Sequence, residues 1–510
     1  MYPSSLYSSN HLSITHISPS GGKCDTLIPT ETRLEACNLT EKFVESSEYR
    51  WCLDEFADVE LQDTRLNVRC SELATQLAEH PGLPLNQACE DWASAKAAYR
   101  FFDNDDVTPE RILAPHQQRT VERIAAHPRV LAIQDSTSLN YTPHPKTVGL
   151  GPIGKKSLKQ RGFGLHSTLA VLPDGLPLGL LAQAILSRPD NEPSHRPEEC
   201  RLQPIEDKES YRWLQAFEQT LALVPAGVEI ITVCDREADI YEMFAFAQEK
   251  KALLLVRASS DRALLDVETR KLWPKVTGQP VIGCLTVKIT GNDTRPARET
   301  TVSVRFVSVT LKPPWRPNGL KLPPIALNAI FVREEDPPAD VEEPIEWMLL
   351  TNTPVTSFKE AQQVIGWYCC RWQVEVFHKV LKSGCRVEDC RLQTADRLHN
   401  FVTLTSVVAW RLHWTTYTNR CQPDLPCTAV LTDIEWEALY MRIHNSNHLP
   451  NEIPTVRQAV RWIAQLGGFL GRKADGEPGV TAIWRGWQRL QDVAATWEIV
   501  KEQAQLVGNR

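Results

Sequence analysis

Val130 to Asp135 reads VLAIQD, and Val228 to Asp235 reads VEIITVCD. Each is a short apolar run that stops on a carboxylate. Such runs read as buried strands. Between them, Phe163 to Leu172 and Pro177 to Ser187 read as a hairpin around the turn pair Asp174-Gly175. Lys208 to Val224 and Ala238 to Lys250 have helical spacing, and Leu253 to Ala258 (LLLVRA) is a further strand. The alternation predicts a mixed, five-stranded α/β sheet covered by helices. In an α/β sheet the strand ends line the crevice where ligands bind. Asp135 and Asp235 both fall there. A lone strand-end aspartate is more often a turn former or a helix cap. Two in one sheet raise the case for a site modestly.

Working outward, residues 1–45 are rich in Ser, Thr and Asn and read as a loose tail. Residues 46–120 read as a small helical domain. Its helices cover Asp63 to Ala78, Ala93 to Phe102 and Thr108 to Ala126. It carries Arg65, Arg69, Lys96 and Arg100, so it is either a DNA reader or a bundle with ordinary surface charge. Residues 121–258 hold the first part of the α/β core. Residues 259–344 are proline-rich and β-like, with near-perfect alternation in TTVSVRFVSVTL (Thr300 to Leu311), and read as an inserted β-domain. Residues 345–415 return to the core. There a strand from Ile345 to Leu350 leads into a long helix, with a capping box at Ser357 and Glu360 and a stop at Gly384. Residues 416–510 read as helical.

The chain has 510 residues, 42% hydrophobic and 23% charged, with 15 Trp. That is globular composition with ample core material. The net charge of −7 counts against a wholly basic nucleic-acid protein and confines any DNA-binding face to a local groove. The 14 Cys include no Cys-x-x-Cys pair, so scattered buried thiols are expected rather than zinc. No secretion signal and no membrane-length apolar run is visible, which points to the cytoplasm.

The long helix carries the chemistry. Tyr368, Arg371, Glu375, Lys379 and Lys382 are spaced by 3, 4, 4 and 3 residues. At about 100° per residue they share an arc of roughly 80°. A solvated stripe of i,i+4 ion pairs is the plain reading. Trp367, Trp372, Val376 and Phe377, however, fill most of the remaining surface. A helix that is apolar nearly all round is buried, so its polar stripe faces a cleft. Glu375 would then complete a hard-oxygen set with Asp135 and Asp235 for Mg²⁺ or Mn²⁺. Two such ions, about 4 Å apart, activate an attacking oxygen and stabilise a leaving one.

These residues resemble the signature of the bacterial cut-and-paste DDE transposases of the insertion-sequence-four group, which contains the transposase of transposon Tn-five. The group's Tyr-x2-Arg-x3-Glu-x6-Lys motif is matched at Tyr368, Arg371, Glu375 and Lys382. IQDSTSLNY around Asp135, VCDREADI around Asp235, RWQVEVFHK around Glu375, TQLAEHPG, AAYRFF, LGGF and IWRGWQRLQ are similar too. The resemblance covers roughly residue 48 to the end. It implies an RNase H-like catalytic core interrupted by a β-domain, an N-terminal domain binding the inverted repeats of transposon ends, and a C-terminal domain forming a homodimer around paired ends. It implies nicking, a hairpin intermediate, and joining of 3′-hydroxyls to target DNA. Trp347 in IEWMLL matches the place where the group stacks a flipped base; read alone, it is a core aromatic. Lys155, Lys156, Lys159 and Arg161 form a basic run that either tracks the DNA backbone or is a solvated loop. Two other readings use the same fold: a catalytically silent DNA-binding regulator, and a structure-specific nuclease. The first has no need of three carboxylates, and the second no need of the N-terminal module.

Overall fold

The computed structural model describes residues 18–19, 50–89, 91–190, 203–289, 298–316, 321–338, 341, 344–472 and 475–508. The expected tail lies outside these, apart from Ser18–Pro19, a two-residue strand (β1) set against Thr286 and Leu285.

The remaining strands are β2 (Arg129–Asn140), β3 (Gly151–Pro152), β4 (Arg161–Val171), β5 (Pro177–Leu186), β6 (Glu229–Cys234), β7 (Leu253–Arg257), β8 (Gly283–Ile289), β9 (Arg298–Leu311), β10 (Ile325–Glu334) and β11 (Glu346–Thr351). All belong to one mixed sheet in the order β1-β8-β9-β10-β11-β7-β6-β2-β4-β3, with β5 paired to β4. Among the described strands only the β2–β6 and β6–β7 pairs are parallel. The segment expected as an inserted β-domain forms no sheet of its own among the described residues. Its strands β8, β9 and β10 join the central sheet through β11. Alternation in β9 sends Val302 and Val304 to one face and Val309 and Leu311 to the other, and each set is buried in a different core.

The β4/β5 hairpin turns where the sequence predicts. Gly175 takes a φ of +101°, and a Cβ there would stand 2.8 Å from the Tyr417 ring, so the turn needs glycine. At Gly179 a Cβ would meet Thr120 Oγ1 at 1.9 Å, which shows how closely a helix crosses β5. That helix is α5 (Pro109–Ala125). It follows α1 (Arg50–Glu55), α2 (Thr64–Glu79), α3 (Leu85–Ala88) and α4 (Trp92–Phe102). Asp63, Asp91 and Thr108 cap α2, α4 and α5, each accepting a backbone N–H of the first turn.

The two faces of the sheet bury different partners. Leu131, Ile133, Ile231 and Val233 share a core with Val374 and Phe377 and with the N-terminal helices. The opposite face is covered by α6 (Tyr211–Leu223) and α7 (Tyr241–Lys250); Trp213, Phe217 and Phe244 pack there with Cys234, Leu254 and Val256. A short helix, α8 (Leu272–Thr277), packs beside β9.

The long helix predicted from Ser357 to Gly384 is present as three consecutive pieces: α9 (Phe358–Cys370), α10 (Trp372–Lys379) and a π turn, Val380–Gly384. The capping box forms as expected. The break at Arg371 is a tightening, because its N–H bonds the Tyr368 carbonyl three residues back (3.0 Å). Among the described residues four α-helices follow: α11 (Ala395–Cys421), α12 (Asp433–His444), α13 (Val456–Leu466) and α14 (Val480–Gly508).

Candidate active site

The β2–β6 register pairs Ile133 with Val233. Two residues further along, each strand reaches an aspartate. Alternation places Asp135 on the side of Leu131 and Ile133, and Asp235 continues the side of Ile231 and Val233. Neighbouring strands lie about 4.8 Å apart, so the register alone brings the two carboxylates together.

The same face is covered by α10, which carries Glu375. His378, one turn on, brings Nε2 within 3.3 Å of Ser167 Oγ. Ser167 is the residue opposite Asp135 on β4. Burial, with Lys382 adding to it, holds His378 down to about 3, so it seats the helix as a neutral ring.

Arg371 stands among the acids. One guanidinium nitrogen lies 3.4 Å from Asp135 Oδ2, and the other donates to Glu375 Oε1. The i,i+4 pair of the plain reading therefore exists, but inside a larger cluster. Burial raises the Asp135 carboxyl well above its ordinary range, and Asp235 and Glu375 push it the same way against Arg371. Burial also raises Glu375, with Arg371 opposing. Burial works against the charge of Arg371, yet Tyr368, Glu375, Asp135 and Asp235 together hold it above its usual value. Three acids share one arginine.

The other expected residues divide. Tyr368 is buried edge-on to Trp347, ring centroids 5.3 Å apart, and Trp347 is 7% exposed. Lys382 Nζ donates to the Ser138 carbonyl (2.9 Å), three residues beyond Asp135. Lys379 is exposed and pairs with none of the described residues. Lys155 and Lys159 are exposed on the loop before β4, and of Lys156 only the backbone is described. Arg161 is held by Asp190 and the Leu150 carbonyl, so it is tied to the protein and is not a free cation.

Three residues were not singled out from the sequence. Arg257 ends β7 as the aspartates end their strands, and its guanidinium faces Tyr368; the strand-end logic already applied to Asp135 would have found it. Glu237 lies in the quoted VCDREADI run. Arg212 gave no signal. Its Nε donates to Ser136 Oγ (3.0 Å) and another nitrogen to Glu237 Oε2 (2.9 Å).

Three family models match this chain in order. Residues 48–107 match "Transposase DNA-binding", residues 214–411 match "Transposase DDE domain", and residues 407–502 match "Transposase Tn5 dimerisation domain". The chain belongs to the Tn5-like DDE transposases. It is thus a DNA transposase with DNA as its partner and a segment for homodimer formation. The DDE match spans Asp235, Arg371 and Glu375 and begins after Asp135, which joins them through the β2–β6 register.

A DDE domain implies dependence on a divalent metal. The donor set fits such an ion chemically: three hard carboxylates in excess of their one arginine. Among the described residues no three His, Cys, Asp or Glu side chains are drawn into a finished ligand group. The guanidinium of Arg371 contacts both Asp135 and Glu375. The cysteines described are unpaired and mostly buried, and no described helix is long and apolar enough to cross a membrane.

Proposed function

We propose that Asp135, Asp235 and Glu375 hold two Mg²⁺ ions, replaceable by Mn²⁺, and that the protein cuts transposon ends through a hairpin and joins the freed 3′-hydroxyls to target DNA. The observation that carries this reading is the overcrowded acid cluster at the ends of two adjacent parallel strands. Bound divalent metal supplies nucleophile activation and charge neutralisation on the phosphodiester. The protein's own groups do the rest. Arg371, released from Asp135 and Glu375, is free to take a phosphate oxygen through its planar fork. Lys382, tethered at Ser138, presents a second cation beside the same strand end. Lys379 extends the positive side outward. Tyr368 and Trp347 form an aromatic wall behind Arg371. We assign Trp347 as the platform for an end base leaving the stack, which requires Tyr368 to turn off its face. Lys155, Lys156 and Lys159 are assigned to the DNA backbone. Arg161 contributes there only if its ion pair with Asp190 opens.

The strand arrangement β5-β4-β2-β6-β7, antiparallel at one side and parallel at the other, supports an RNase H-like core. On this reading residues 121–258 and 345–415 form the core, 259–344 the interruption, 46–120 the end-binding domain and 416–510 the dimerising domain.

The test is cleavage of linear DNA carrying the gene's own flanking sequences, with Mg²⁺ or Mn²⁺, comparing the native protein with Glu375→Ala. Metal-dependent hairpins at defined ends, lost in the variant while end binding persists, are expected. End binding without cleavage in either protein would mean a silent, regulatory descendant.

A further inference from the structure

Asp135 and Asp235 stand on the face of the sheet covered by α10. On the other face a single side chain, Arg212, bridges the residues next to them. The β2–β6 ladder makes its last pair at Ile133 and Val233. Beyond that pair the β2–β6 pairing is not continued, and the two neighbouring acids repel each other.

Ser136 and Glu237 hold the aspartates locally. The Ser136 N–H donates to Asp135 Oδ1, and the Glu237 N–H donates to Asp235 Oδ1, each at 2.8 Å. Ser136 alternates to the rear face, where α6 lies. There Arg212 Nε donates to Ser136 Oγ (3.0 Å), a second nitrogen to Glu237 Oε2 (2.9 Å), and the third to the Glu209 carbonyl (2.7 Å). Its side chain is only 14% exposed and lies over the Trp213 ring. Ser136 Oγ is backed in turn by Nδ1 of buried His166 (2.8 Å). An unbroken run of hydrogen bonds therefore goes Asp135, Ser136, Arg212, Glu237, Asp235.

We infer that Arg212 is a positioning residue, a rigid fork on the rear face that sets the spacing of the two aspartates and with it their affinity for divalent metal. The inference rests on the proposed reading that these aspartates hold metal. A planar guanidinium serves two acceptors at a fixed separation, whereas a lysine ammonium is a single point on a flexible stem.

The test is Mn²⁺ binding to the full chain, followed by electron paramagnetic resonance, alongside end binding by gel shift and cleavage across a Mn²⁺ series. Groups that orient metal ligands typically contribute about 10–100-fold in affinity. Arg212→Met is expected to weaken Mn²⁺ binding by about that factor, with Arg212→Lys in between. End binding should hold, and cleavage should recover as Mn²⁺ is raised. Ser136→Ala and Glu237→Ala should each lose part of the affinity, and Glu237→Ala should add little to Arg212→Met. Unchanged Mn²⁺ affinity in Arg212→Met overturns the clamp, as does a loss confined to end binding, which would make Arg212 a phosphate contact. Should Arg212→Met fail to fold, unchanged affinity in both Ser136→Ala and Glu237→Ala overturns it equally. Asp135→Ala separates the two levels. If it binds Mn²⁺ like the native protein, the metal-site reading falls and takes the clamp with it. If it loses Mn²⁺ while Arg212→Met does not, only the clamp falls.

Discussion

Glu55, His116 and Arg123 form one buried charge cluster, where α1 and α5 meet the β5 strand. Asp135, Asp235, Glu375 and Arg371 form another, at the strand ends. The first is complete. Arg123 grips both Glu55 oxygens at 2.9 Å and donates to the Leu178 carbonyl, while His116 bonds Glu55 on one side and accepts the Leu180 N–H (2.9 Å) on the other. Although burial alone would raise it, Glu55 is held down to about 2 by Arg123 and His116. The second cluster is less deeply buried and points the other way: Asp135 and Glu375 are both raised. One arrangement fastens the N-terminal helices to the sheet. The other leaves an excess of acid over base that folding alone does not neutralise. Buried charges that balance belong to the architecture, and buried charges that do not are the better guide to chemistry.

The contrast can be broken most severely with Asp135→Asn. It should abolish DNA cleavage while leaving the unfolding midpoint unchanged or higher, because it relieves a repulsion. A fall in midpoint would mean that the acid cluster is structural too. Glu55→Ala should do the reverse: about 3–5 kcal/mol of stability lost, since it strands a buried arginine, with cleavage intact at low temperature. Denaturant titration of both variants reads the difference.

Acid separates the clusters next. Glu55 is depressed from an unfolded value of about 4.3 to about 2. Its contribution is therefore present above the unfolded value and lost as pH falls through the folded one. Asp135 and Glu375, being raised, behave oppositely: their contribution is present at low pH and lost as pH rises through their folded values. Glu55→Gln should flatten the loss of stability in acid, and Asp135→Asn should flatten the change on the neutral side. Identical pH profiles for both variants would erase the distinction.

Mg²⁺ should then raise the midpoint of the native protein, by about 2.7 kcal/mol of stability at a hundredfold excess over its dissociation constant. It should leave Asp135→Asn unmoved, as scanning calorimetry would reveal. The smallest effect belongs to Arg161→Ala. Its pair with Asp190 is half-exposed, and such pairs contribute under about 1 kcal/mol. A larger loss would give this loop an architectural role.

Much of this was legible in the sequence. The apolar runs ending at Asp135 and Asp235, the Asp174-Gly175 turn and the Ser357–Glu360 box are local signals, and local signals place strands, turns and caps. The arc from Tyr368 to Lys382 gave the helix face, but not that Arg371 would contact both Asp135 and Glu375, because a helical pattern is silent about what faces it. The alternation in Thr300 to Leu311 gave a strand and not its neighbours, so the sequence was silent on how β8, β9 and β10 of the expected inserted β-domain pair into the central sheet. Arg212 was invisible for the same reason: its partners, Ser136 and Glu237, lie far off in the chain and meet it only across the folded sheet.

The parallel pairing of β2 with β6 has a further consequence, for the time at which the protein becomes dangerous. The two strands are separated by about a hundred residues, and the helix bearing Glu375 comes later still. Contacts so distant along the chain are slow to form, and none can form before the later segment has been made. A growing or prematurely ended chain that stops short of Phe358 already carries the segment matching a transposase DNA-binding domain and both aspartates, yet it lacks the third carboxylate. On the proposed reading, the order of synthesis is itself a safety catch: the chain gains its grip on DNA before it gains the means to cut.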